Sequence, residues 1–132
     1  MSRLYEYAIL RVVPRPERGE TINAGVIVHC PETKFLGARI HLDEERLLAL
    51  DPSLDPESVL AHLEAMRKVC LGGPEAGALG RLSARERFGR VAAPRSTVVQ
   101  PAPVHTGFAE EPERALDLLL EKMVLPTGER DV

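Results

Sequence analysis

A two-residue alternation of apolar side chains returns three times before Asp43 and constrains this chain more than any other feature. From Leu4 to Val13, Tyr5, Tyr7, Ile9 and Val13 fall on one side of an extended backbone, with Leu4, Ala8, Leu10 and Val12 on the other. Apolar residues on both sides call for cover on both faces, so this strand belongs at the centre of a sheet. After the turn-rich stretch Pro14 to Thr21 the period resumes, with Ile22, Ala24, Val26, Val28 and Cys30 on one face and Asn23, Gly25 and His29 on the other. Pro31, Glu32 and Thr33 supply turn chemistry, and Leu36, Ala38, Ile40 and Leu42 line one face of a third strand. Strands joined by short turns pair most simply as an antiparallel meander.

Helical signals follow. Asp43 can cap a short acidic helix through Leu50. Asp55-Pro56-Glu57 combines a capping carboxylate, proline at the first helical position and an acid in the first turn. The helix it opens runs from Pro56 to about Leu71, with Val59, Leu63, Met66 and Cys70 as its buried stripe, and Gly72-Gly73-Pro74 stops it. Residues 75–93 carry a short helix at Ala84 to Phe88 and weak packing signals elsewhere, so the span 72–93 reads as a mobile or partner-dependent connection. Ser96 to Gln100 is rich in β-formers, after which Pro101 and Pro103 confine the chain to an edge or an exit from the sheet. A last helix, Pro112 to about Val124, presents Leu116, Leu119, Leu120 and Met123 inward. The expectation is one α+β domain over residues 1–132: an antiparallel sheet of three to five strands with two main helices packed on it.

With 132 residues, 44% of them apolar and 28% charged, the chain can bury a real core and has the composition of a folded protein. Its two cysteines, Cys30 and Cys70, form no C-x-x-C pair and read as buried free thiols. The apolar N-terminal stretch is interrupted by Glu6 and Arg11 and lacks a cleavage signature, and no run reaches membrane-spanning length. These points lead to the expectation of a cytoplasmic protein of bacterial type, with no membrane association. The net charge of −3 conceals an uneven distribution. Between His41 and Ala65 seven acids face one base, Arg46, whereas from Met66 to Arg95 seven bases meet only Glu75 and Glu86. Two readings are open: helix faces of opposite sign that pair within the fold, or a basic groove for an anionic partner.

No complete catalytic or metal-binding set emerges. His29 and His41 fall on neighbouring strands, roughly 13 to 20 Å apart along the sheet at strand rise, too far to share an ion, and His62 stands on a helix with only Glu64 near it. Neither a metal nor a cofactor is expected. Ser96 or Thr97 with His105 as base would make a small enzyme, but no G-x-S-x-G elbow is present. Gly72-Gly73 and Gly77 to Gly80 lack the lysine of a phosphate loop. The basic stretch from Arg81 to Arg95, in which Arg85, Arg87, Arg90 and Arg95 surround Phe88, could hold phosphates and stack a base, giving a nucleic-acid or nucleotide-binding alternative. In Pro14 to Gly25, Gly19 suits a positive-φ turn, and Arg15, Arg18, Glu20 and Asn23 could form a polar rim beside the sheet or simply satisfy hydrogen bonds there.

The segments YAILRVVPRPERGETINAGVIV and RERFGRVAAPRSTVVQPAPVHTG, with the terminal amphipathic helix, resemble the bacterial family catalogued as domain of unknown function 3037. The likeness spans nearly the whole chain. Members of that family look to be encoded often beside kinases similar to the persistence-toxin type, which implies a role as partner or regulator of a kinase-like protein. On this reading the chain is an interaction domain whose recognition surface combines Arg15, Arg18, Glu20 and Asn23 with Arg95, Ser96, Thr97, Gln100, His105 and Thr106. The resemblance assigns no catalytic residue.

Overall fold

The computed structural model describes residues 1–126. In chain order the elements are β1 (Arg3–Val12), β2 (Ile22–Cys30), β3 (Phe35–Ile40), α1 (Glu44–Leu50), α2 (Pro56–Leu71), α3 (Ala84–Ala92), β4 (Val99–Pro101), β5 (His105–Ala109) and α4 (Pro112–Leu119). Short 3-10 helices cover Pro16–Arg18 and Pro74–Arg81, and α4 runs on into a π-helical turn, Leu120–Val124. The sheet is antiparallel in the order β3-β2-β1, and the far edge of β1 is shared by β4 and β5. The α+β expectation holds, with helices on both faces of the sheet.

The two apolar sides of β1 each have their own cover. Ala8, Leu10 and Val12 pack against Leu47 of α1, Val59, Leu63, Met66 and Cys70 of α2, and Phe88 and Val91 of α3. Tyr5, Tyr7 and Ile9 pack against Ala115 and Leu116 of α4. Where β2 crosses this layer its faces change over, and here the sequence reading needs correcting. Ile22 and Ala24 join the α2 side but Val26 and Val28 join the α4 side, because the β1–β2 register slips between Leu10 and Arg11. Leu10 lies opposite Gly25 and Arg11 opposite Asn23, which leaves Ala24 as the extra residue of a bulge. His29 accordingly turns to the α2 and α3 side, stacked on Phe88 with ring centroids 5.0 Å apart, and Asn23 turns to the α4 side. Gly25 is required at the bulge, since a methyl group there would lie 2.9 Å from the Arg39 carbonyl oxygen.

Helix α2 begins and ends where its sequence signals place it. The Asp55 carboxylate accepts from the Glu57 amide at 3.1 Å and from the Ser58 hydroxyl at 2.9 Å. At the other end Gly72 takes φ 78°, and the Arg87 guanidinium donates to the carbonyls of Val69, Cys70 and Leu82. A side chain of α3 thus satisfies carbonyls that the end of α2 leaves open. Burial pushes the Cys70 thiol up to about 12, even with Arg87 acting in the opposite sense. Phe88 and Val91 anchor α3 in the core, so the second half of the span 72–93 is packed helix. Its helix also extends to Ala92, four residues beyond the span read from sequence.

For the stretch after Ser96 the edge expectation holds and the exit does not. Pro101 and Pro103 do not lead the chain out of the sheet. β4 pairs with Leu10 to Val12, the Ala102 amide bonds the Ile9 carbonyl at 2.7 Å, and β5 resumes along the same edge opposite Arg3 to Tyr7. Between the two the register moves by one residue, absorbed over residues 102–104. No helix among the described residues is long and apolar enough to cross a membrane.

Candidate functional site

At the end of β1 the Val13 amide donates to the Val98 carbonyl at 2.7 Å, which sets the turn after β1 beside the segment entering β4. The turn itself is a 3-10 helix over Pro16–Arg18, closed by Gly19 at φ 70° with its amide on the Pro16 carbonyl. Two of the four polar residues singled out here have structural partners elsewhere in the chain. Arg15 Nε lies 3.2 Å from Asp51 Oδ2, and Asp51 is 5% exposed. The Ser53 hydroxyl and amide bond that carboxylate at 2.6 and 3.0 Å, and together with Arg15 they hold it below the usual carboxylate range. Asn23 Nδ2 donates to the Met123 carbonyl at 2.9 Å, tying the π-helical turn to the sheet. Arg18 pairs with Glu20 at the surface.

On the other segment, Thr97 Oγ1 donates to the Val99 carbonyl at 2.7 Å, and the Arg95 guanidinium folds back onto the carbonyls of Arg90 and Ala93. Ser96 is exposed. Gln100 stands opposite Arg11, and Arg11 opposite Asn23, so the three form a polar row across the sheet on its α4 side. Nε of Arg11 is buried without a hydrogen-bond partner. In the sequence Arg11 stands out only as a break in the apolar N-terminal stretch, although an arginine interrupting an otherwise apolar strand face also marks it as a candidate site residue.

His105 and Thr106 lie away from this end. His105 pairs with Tyr7, ring centroids 5.7 Å apart, and Thr106 pairs with Glu6. Thr97 and His105 are separated by eight residues of nearly extended chain, roughly 25 Å at strand rise, so neither Ser96 nor Thr97 can share a proton with His105. The proposed enzyme built on them is not assembled. The basic stretch is also reduced as an anion site, because Arg87 is committed to helix carbonyls and Arg95 to its own loop, leaving Arg81, Arg85 and Arg90 exposed. Of the described ion pairs only Arg67–Glu64, at 2.9 Å, joins the acidic run to the basic one.

A second surface feature was not read from sequence. A cavity of about 510 Å³ opens between β5 and α4, its lining both apolar, as at Tyr5 and Leu118, and charged with both signs, as at Glu110, Glu111, Arg114 and Lys122. Burial, and then the neighbouring Tyr7, push the Tyr5 phenol up from its ordinary value. Among the described residues no group of three histidine, cysteine or acidic side chains is placed to hold a metal ion.

The family description "Protein of unknown function (DUF3037)" matches residues 7–124. The chain belongs to this family. The match takes in both segments that meet at the end of β1, the polar row across the sheet and the whole of α4. No curated protein and no solved structure matches the chain.

Proposed function

We propose that this DUF3037 chain is a non-enzymatic cytoplasmic interaction domain that binds and regulates a kinase-like protein. Its docking surface is the end of the sheet where the turn carrying Arg15, Arg18 and Glu20 adjoins Arg95, Ser96 and Thr97. The observation that carries this reading is the bond from the Val13 amide to the Val98 carbonyl, which unites in space the two stretches that most distinguish the sequence. Arg15 and Asn23 are pinned through Asp51 and Met123, while Arg18, Ser96 and Thr97 are exposed and Glu20 is half-buried beside Arg18. A surface whose framework is pinned and whose outward groups are polar suits recognition at low ordering cost. The kinase-like identity of the partner rests on the family resemblance. His105 and Thr106 lie too far along β1 to share this surface.

The test is recovery of a tagged chain from its native host. A kinase-like protein should accompany it in stoichiometric amount, and recovery of the chain alone would count heavily against the reading. Arg18→Glu combined with Ser96→Glu should weaken that association by roughly tenfold or more, the equivalent of about 1.4 kcal/mol. Thermal unfolding of the variant should stay unchanged, because both side chains are exposed.

A further inference from the structure

We propose that β5 is a self-association strand, pairing antiparallel with β5 of a second copy of this chain about a two-fold axis at Gly107. The inference begins from the direction of main-chain groups. The bonds Val13 amide to Val98 carbonyl and Ala102 amide to Ile9 carbonyl show that odd-numbered residues of β1 face this edge. Arg3, Tyr5 and Tyr7 therefore bond their partners Ala109, Gly107 and His105, and the intervening Thr106 and Phe108 turn N–H and C=O outward.

The two halves of the edge differ in what they offer. Pro101 stands opposite Leu10, an even-numbered residue, so its nitrogen points outward and has no proton to give, and Pro103 has none either. The β4 half is thereby closed to an added strand. The β5 half has no such protection: His105–Ala109 contains no acidic, lysine or arginine side chain, Phe108 is 72% exposed and its cross-strand neighbour Leu4 is 44% exposed. Natural edges are ordinarily blunted by charge, proline or cover.

Symmetry selects the occupant. Thr106 and Phe108 flank Gly107 evenly, so a second β5 with Gly107 opposite Gly107 places Thr106 of each copy against Phe108 of the other. All four outward groups of each strand are then satisfied. The central pair in that register is a close one, with Cα atoms about 4.5 Å apart, and glycine fits it. The Tyr5 ring already lies over Gly107, where an added methyl would fall 2.5 Å from Cζ and Oη. Pairing brings the two Tyr5 rings together across the axis on one face and the Phe108 and Leu4 side chains together on the other. Two five-stranded sheets become one.

Sedimentation equilibrium of the full chain is the primary test, with a dimer expected to form at or below roughly 100 μM. Thr106→Pro deletes only an outward N–H and leaves the β1 bonds intact, so it should give a monomer with an unchanged far-ultraviolet spectrum. Phe108→Lys sets like charges beside the axis and should weaken the dimer at least tenfold, which keeps the test informative if the proline variant does not fold. A wild-type chain that stays monomeric through that range, including one that pairs only with a different protein, overturns the proposal. So does a dimer that Phe108→Lys leaves as strong as before.

Discussion

A methyl group on Gly37 would fall 2.7 Å from Phe35 Cζ and 2.9 Å from Leu116 Cδ1. Leu116 is buried between α4 and the sheet and has little room to retreat. Gly37→Ala should therefore lift α4 and destabilise the fold by about 1 to 2 kcal/mol, measurable by urea denaturation. Asp51 gives a prediction in pH. Hydrogen bonds from Ser53, with Arg15 beside it, depress its folded pKa. A depressed carboxylate contributes stability that is present above its unfolded value, near 3.9, and is lost as pH falls through the folded value. Asp51→Asn should be less stable than wild type at neutral pH, and the difference should shrink as pH drops below about 4. Denaturation midpoints of both proteins across that range check it. Arg15 was legible in the sequence as a notable residue but its role was not, since its partner Asp51 belongs to the loop after α1 and only the tertiary fold joins them.

At the scale of elements, the ends of α2 could be read because their chemistry is local: a capping aspartate and proline at one end, glycines at the other. What holds the C-terminal end came from outside the helix. Arg87→Ala would leave the carbonyls of Val69 and Cys70 without their charged donor, a loss of about 2 kcal/mol. Amide exchange should accelerate selectively around residues 69–82, and Cys70, whose burial should shield it from alkylation at pH 8 in the wild type, should become modifiable as this helix end opens. Uniform exchange with no local effect would contradict this account. The bulge in β2 was invisible because the alternation from Ile22 to Cys30 is unbroken, and only the pairing with β1 shows that its faces change over. β5 was hidden for the opposite reason. HTGFA has one large apolar residue, and that residue faces solvent, so its strand conformation is imposed by the open edge of β1.

For the molecule as a whole, the sequence made the fold class and the central place of β1 legible, since a strand apolar on both sides must be covered on both sides. The site was legible only in part. Two segments far apart in the chain could be marked as unusual, but whether they met depended on β1 carrying one to the other. The same strand decides what happens during synthesis. β1 leaves the ribosome well before residues 98–109, on which one of its edges waits. Until then an apolar strand has an open row of hydrogen-bonding groups and can be captured by any other extended chain. A chain ended after Arg95 would hold β1 in that condition permanently. It should accumulate in the insoluble fraction, whereas the same segment supplied with residues 96–126 remains in the supernatant. The closing strands therefore act as an internal chaperone for a strand made before them.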